Sequence, residues 1–208
     1  MTGSTLNMHY TIADPKTFGI SEYEPVLPIY HSGQPEDSKE HCSDLLHRLD
    51  RIDPDRLSPE NAYTYRLLHR SLENDLALAD FPYYNEPLSP SSGMQSQLPV
   101  LLAEYTFRTK RDVTDYLALL DQIDDYFSSL LLYEQEKAAA GFFMPACSSE
   151  KVRKQCDTIV TTEELAQGTH FLQTTFEDRL SELPKQGLFT PEETASLIET
   201  NDRLLATV

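Results

Sequence analysis

The chain has 208 residues and a mass of 23.7 kDa, with 34 Asp and Glu against 17 Lys and Arg, a net charge of −17. A chain this acidic lacks the basic face that phosphate contacts need, which argues against nucleic-acid binding, and an anionic lipid surface would repel it. The longest apolar runs, residues 117–120 and 130–133, are far too short to span a bilayer, and a charged fraction of 25% is ordinary for a globular chain.

Leu6, Met8, Tyr10 and Ile12 alternate with polar residues, which predicts a short strand over residues 6–12. Asp14-Pro15 and Phe18-Gly19 break it. Pro25, Pro28, Gly33 and Pro35 make residues 21–35 an extended loop, within which residues 25–30 offer a second short strand. The first 35 residues thus read as strand and loop, and residues 36–208 as one helical body.

From Glu36 the period turns helical. Cys42, Leu45, Leu46, Leu49 and Ile52 share one face, closed by Asp53-Pro54. Ser58-Pro59-Glu60 opens the next helix with a capping side chain and a proline in the first turn, and Tyr65, Leu68, Leu72, Leu76 and Ala79 continue it. Residues 83–93 are too rich in Pro and Ser to be helical. Residues 94–107 read as a helix with Leu98, Leu101, Leu102 and Tyr105 inward, kinked or restarted by Pro99. A single long helix is predicted from residues 109–112 to Ala140, with Val113, Tyr116, Leu117, Leu120, Ile123, Phe127, Leu130 and Leu131 on its buried face and Gly141 as its stop.

Ser148 or Ser149 is expected to cap a helix through Val152, Cys156, Ile159 and Val160, and residues 161–164 to begin a short one. Phe171, Leu172, Phe176, Leu180 and Leu183 mark another. Thr190-Pro191-Glu192-Glu193 is a strong helix start, since Thr caps, Pro suits the first turn and carboxylates favour the positive end of the dipole. Leu197, Ile198, Leu204, Leu205 and Val208 follow with no residue that ends a helix, which reads as a chain cut from something longer. The expected fold is mainly α: an irregular array of seven or eight helices with one or two short N-terminal strands.

Cys42, Cys147 and Cys156 form neither a disulfide framework nor a zinc knuckle; they read as plain thiols, although spacing also allows a Cys147–Cys156 bridge. The start of the chain lacks the basic and apolar regions of a signal peptide, so as written it would stay in the cytoplasm. No two of the six histidines are four residues apart; His41 and His47 lie about 240° apart around a helix. Glu40, His41 and Asp44 therefore read as a solvated acidic helix start, and no metal ligand or cofactor is assigned. The paired carboxylates 124–125, 163–164 and 192–193 point about 100° apart and form no shared acid–base pair. There is no GxSxG and no Gly-rich phosphate loop, so no catalytic residue is assigned. Tyr83, Tyr84, Gln95, Gln97, Tyr105 and Arg108, around the Pro-bounded loop, are the candidate substrate-lining residues, because Tyr and Arg are common at recognition surfaces. The plainer reading is that Tyr83 and Tyr84 only cover the loop.

Several short runs recur in a familiar order. They are residues 5–10, Asp14-Pro15, 18–20, 57–60, 63–65, 86–90 with Gly93, 111–113, 115–117, 119–120, 137–141, Met144-Pro145, 175–177 and Arg179-Leu180. Together they resemble the N-terminal part of a bacterial protein family known as domain of unknown function family 885, over nearly the whole chain. The resemblance implies a mostly helical, considerably longer protein that looks like a zinc-dependent peptidase, with an HExxH-type helix in its C-terminal portion. Several such proteins are secreted or lipid-anchored. In that motif two histidines four apart bind zinc and the Glu serves as general base. This sequence has no HExxH, so no catalytic residue carries over and zinc would belong to the intact protein.

Two readings follow, beside a weaker third in which the chain is an independent enzyme that uses Tyr and Arg side chains. In one, the chain is a non-catalytic helical portion walling one side of a substrate cleft, partnered by the missing C-terminal portion and a peptide substrate. Its last helix would then expose an apolar strip able to form a homodimer. In the other, it is a stand-alone acidic binding or scaffold module suited to a basic partner.

Overall fold

The computed structural model describes residues 5–30, 34–183 and 188–207. In chain order the helices are α1 (Thr5–Thr11), α2 (Gln34–Leu49), α3 (Pro59–Leu78), α4 (Met94–Ala103) and α5 (Lys110–Leu120). They continue with α6 (Ile123–Ala139), α7 (Ala146–Ile159), α8 (Thr162–Gln167), α9 (Phe171–Glu182) and α10 (Pro191–Leu205), and short 3-10 turns precede α2 and α3. The array is mainly helical as expected, with more helices than expected and no strand among the described residues.

Both strand expectations are corrected. Residues 6–11 fall on α1 and Ile12 follows it: besides Leu6, the buried positions are Thr5, Met8, His9 and Ile12, spaced i, i+3, i+4, i+7. Counting only apolar residues hid that stripe, since a threonine and a histidine supply two of its members. Residues 25–30 are extended but are held largely by side chains. Val26 N–H donates to Thr5 Oγ1 (2.8 Å), and Leu27 N–H donates to Gln122 Oε1 (3.0 Å). The Gln122 amide returns a bond to the Pro25 carbonyl (2.9 Å).

The chain folds as two compact units. The first comprises Met1–Ile29, Pro87–Leu131 and Phe143–Val208, the second Tyr30–Glu86 and Leu132–Phe142. In the first, α4 packs on α7 and α9, and α10 packs on α5 and α9. Its aromatic centre is Tyr105, Phe107, Tyr116 and Phe176, whose neighbouring ring centroids lie 5.4–6.3 Å apart. The Arg179 guanidinium lies 4.5 Å from the Phe107 ring and 5.1 Å from that of Tyr116. It donates to the carbonyls of Leu102 (3.0 Å) and Tyr105, satisfying backbone acceptors where α4 ends.

The single helix expected from residue 109 to 140 is two helices, α5 and α6. Gln122 explains the break. Its side-chain amide donates to the Ala118 carbonyl (2.8 Å), the acceptor its own N–H would use in a continuous helix, and its N–H moves to Leu119 (3.2 Å). The apolar stripe runs on through Leu120 and Ile123, so periodicity alone cannot register the interruption. A capping box of Thr109 and Asp112 starts α5, and one of Thr190 and Glu193 starts α10. Pro145 occupies the N-cap of α7, so Ser148 and Ser149 sit inside its first turn rather than capping it. All three cysteines are free, so the Cys147–Cys156 bridge is not formed. Val208, expected on the last stripe, lies outside the described residues.

In the second unit α2 packs on α3. Cys42 is buried and Leu45, Leu46 and Leu49 are half-buried, facing the hairpin with Tyr65, Leu72 and Leu76. Ile52 lies beyond the end of α2 and is exposed. Lys39 Nζ forms an ion pair with Asp80 (2.7 Å), and His69 Nε2 lies 3.3 Å from Asp50 Oδ1. Tyr63, Leu67, Leu68 and Leu78 remain at least half exposed on α3.

Candidate functional site

The first unit holds a pocket of about 890 Å³ between α4, α6, α7, α8, α9 and α10. Leu98, Leu102, Ile123, Phe127, Leu165 and Leu172 give it an apolar lining, and it reaches the surface beside Cys156, Gln167 and Ala206, all exposed. Its volume falls within the range of about 300–1,000 Å³ usual for small-ligand sites. Local structure shapes the walls. Gly168, in the left-handed region at φ 68°, ends α8 and turns the chain toward α9. His170 then caps α9: its Nδ1 accepts from Leu172 N–H (3.3 Å), while Nε2 donates to the Ile159 carbonyl at the end of α7 (2.8 Å). One imidazole therefore ties together two helices that line the pocket.

Gln95 enters the pocket wall from α4 through a relay of amides. Gln155 Nε2 donates to the Pro90 carbonyl (2.9 Å), which leaves Gln155 Oε1 to accept from Gln95 Nε2 (2.9 Å). Gln95 Nε2 also donates to the Ser89 carbonyl (2.7 Å). Its own Oε1 is buried without a donor. Gly93 makes room for this arrangement, since a Cβ there would stand 2.0 Å from Gln95 Oε1 and 2.2 Å from Ser89 N.

The other proposed lining residues are distributed as follows. Gln97 is exposed on α4. Tyr105 is fully buried, its ring stacked on His9. Arg108 Nη1 lies 3.5 Å from His9 Nε2. Tyr105 and Arg108 therefore meet at His9, a residue the sequence reading left aside; its signal was a polar side chain on a buried helical stripe. Burial lowers the His9 pKa, against the pull of Asp112, whose Oδ1 is 3.7 Å from Nδ1. Nearby, buried Asp115 accepts from the Tyr23 hydroxyl (2.8 Å) and from Arg111 Nε (3.3 Å). Burial and the bond to Asp115 push the Tyr23 hydroxyl up to about 12.

Tyr83 and Tyr84 belong to the second unit, in an aromatic group with Tyr30, Phe81, Tyr133 and Phe142. Tyr84 is 81% exposed, whereas Tyr83 is half-buried, 6.0 Å from Phe142 and 6.1 Å from Tyr133 by ring centroids. The Tyr133 hydroxyl donates to the carbonyls of Pro82 (2.9 Å) and Asn85 (3.2 Å), which pins the loop onto α6. One turn further along α6, the buried Lys137 pairs with Glu86 (2.6 Å) and lies 3.8 Å from Glu134.

Among the described residues no group of three or more His, Cys, Asp or Glu side chains is placed to hold a metal ion. Among the same residues no helix is long and apolar enough to cross a membrane.

A family model described as "Bacterial protein of unknown function (DUF885)" matches residues 16–207. The chain belongs to that family. The DUF885 match takes in the short runs from residues 18–20 onward, while residues 5–10 and Asp14-Pro15 lie ahead of it or at its edge. Among solved structures, "the crystal structure of the putative lipoprotein from Colwellia psychrerythraea" aligns with a TM-score of 0.72 at 15% identity. That match covers 100% of this chain and 36% of the other, so this DUF885 chain spans about a third of its structural neighbour. At that identity the likeness concerns the fold alone. A comparison with curated proteins gives no match.

Proposed function

We propose that this chain is the non-catalytic, N-terminal helical portion of a longer, zinc-dependent peptidase-like protein, and that its first unit walls one side of the substrate cleft. The observation that carries this reading is the apolar pocket between α4 and α6–α10, which opens to solvent and is bordered by helix-bound amides. Membership of DUF885 and the one-third coverage of a larger structural neighbour support it. A secreted or cell-surface location belongs to the same reading, in keeping with the lipoprotein description of that neighbour.

The test begins with the reading frame beyond Val208, which is expected to encode an HExxH helix. The 208-residue chain and the extended protein are then purified and compared for zinc content and peptide hydrolysis. Zinc-dependent turnover by the extended protein alone is the expected result. Turnover by the 208-residue chain, or a reading frame without the motif, refutes the reading.

A further inference from the structure

The pocket has one polar corner, at α9 and α10. Gln173 lines the pocket and is only 4% exposed. Its Nε2 donates to Asp202 Oδ1 (3.0 Å) and points at the Leu165 carbonyl (3.4 Å). Turning the amide over would set its oxygen against a carboxylate and a carbonyl, so the orientation is fixed by its neighbours. Gln173 Oε1 is thereby left buried without a donor. Asn201, 1% exposed, repeats the pattern beside it: its Nδ2 leans on Asp202 Oδ1 (3.5 Å) and its Oδ1 has no donor. Asp202 also lines the pocket, and among the described residues no Lys, Arg or His pairs with it. The corner thus presents the Asp202 carboxylate to the pocket, with the Gln173 amide beside it and Asn201 behind. A ligand carrying N–H groups and a positive charge complements that carboxylate.

We infer that the pocket binds an apolar amine: a hydrocarbon body between α4, α6 and α8, and a primary ammonium at Asp202 and Gln173. Three N–H donors and one positive charge match this corner. A carboxylate is repelled by Asp202, and an alcohol supplies one donor and no charge. The assignment rests on the reading of the pocket as a ligand cleft.

Calorimetry of the 208-residue chain at neutral pH with octylamine, 1-octanol and octanoate tests it. Octylamine is expected to bind about tenfold tighter than octanol, the scale of one charge-assisted contact, with octanoate weakest. Asp202→Asn is expected to remove the preference for the amine, so that octylamine binds no tighter than octanol, and Leu165→Trp to fill the pocket and abolish both. Equal binding of octylamine and octanol overturns the amine assignment and leaves the cleft reading standing. Octylamine binding that survives Leu165→Trp reflects only the acidic surface and overturns the assignment. Binding of none of the three overturns the cleft reading with it. Trileucine, free or acetylated at its amino end, separates a peptide terminus from a free alkylamine as the source. Binding of the free but not the acetylated form supports the ammonium contact, and equal binding of the two counts against it.

Discussion

The imidazole of His9 lies flat against the ring of Tyr105, with centroids 3.7 Å apart and planes within 10°. This stack sits under Arg108 and beside Asp112 and Asp115. Burial is the largest influence on His9 and holds its pKa below the ordinary 6.5; Asp112 and Asp115 pull the other way, and Arg108 adds to the lowering. The unfolded chain therefore takes up this proton first as pH falls. Stability linked to His9 is complete above pH 6.5 and is lost as pH drops through the lower, folded-state value. His9→Phe keeps the ring and removes the titration. Urea unfolding of both proteins between pH 7.5 and 5 should show the native chain losing stability relative to the variant. Parallel pH profiles would contradict the account.

In the second unit, Lys137 has a side chain only 4% exposed, and its ammonium rests on Glu86. Removing one member of a buried pair strands the other, which costs about 3–5 kcal/mol when both are fully buried. Glu86 is 35% exposed, so water screens part of that loss, and about 2 kcal/mol is expected for Lys137→Met. Glu134 behaves differently. Burial raises its pKa, opposed by Lys137, and its Oε1 has no donor. Glu134→Gln keeps the volume and should leave stability within about 0.5 kcal/mol of the native chain. Denaturant midpoints compare the two. Equal losses in both variants would show that Glu134, and not Glu86, is the partner that matters.

Helix starts were the most legible features of this sequence. Ser58 and Thr190 cap where expected, because a capping side chain acts on amides two or three residues away, and α8 starts within residues 161–164 as expected. The α1 stripe was hidden because Thr5 and His9 are buried through long-range partners, Val26 and Tyr105, that local pattern does not encode. The break at Gln122 was invisible for the same reason, since the amide is held by Pro25 and Leu27, 97 and 95 residues away. At the pocket, Gln95 stood out as a polar residue near a rigid loop. Gln173 and Asp202 did not, because each looks like an ordinary polar position on an amphipathic helix until α9 and α10 bring them together.

Gly93 lies at φ −73°, a conformation any residue can adopt, so its requirement is space rather than backbone freedom. A Cβ would meet Ser89 N at 2.2 Å and Ser89 O at 2.6 Å, both backbone atoms, besides Gln95 Oε1. The loop must move to admit it. Gly93→Ala is expected to cost about 2–3 kcal/mol, the upper part of the range for overpacking a filled site. It should also release Gln95 from Ser89, read as faster exchange of the Gln95 side-chain amide in NMR. A loss under about 0.5 kcal/mol would mean that the loop yields freely and that its close packing on α4 does not restrain it.

His170 is the last residue before α9 and does two jobs with one ring. Its Nδ1 accepts from Leu172 N–H, as a capping oxygen would, and its Nε2 reaches the Ile159 carbonyl at the end of α7. The ring is 1% exposed, so removing it leaves a buried donor and a buried acceptor unpaired as well as a void. His170→Ala is expected to lose about 2 kcal/mol, near the upper limit for loss of a cap. His170→Asn can still cap Leu172 but is too short to reach Ile159, so its loss should be intermediate. Hydrogen exchange distinguishes the two functions. The Leu172 amide should exchange fast in the alanine variant and stay protected in the asparagine variant. Both variants should loosen the hold between α7 and α9, and because Ile159 and Leu172 line the pocket, both should also weaken octylamine binding. Unchanged binding in both would mean that the pocket walls are held by the packing of α4 on α7 and α9 instead.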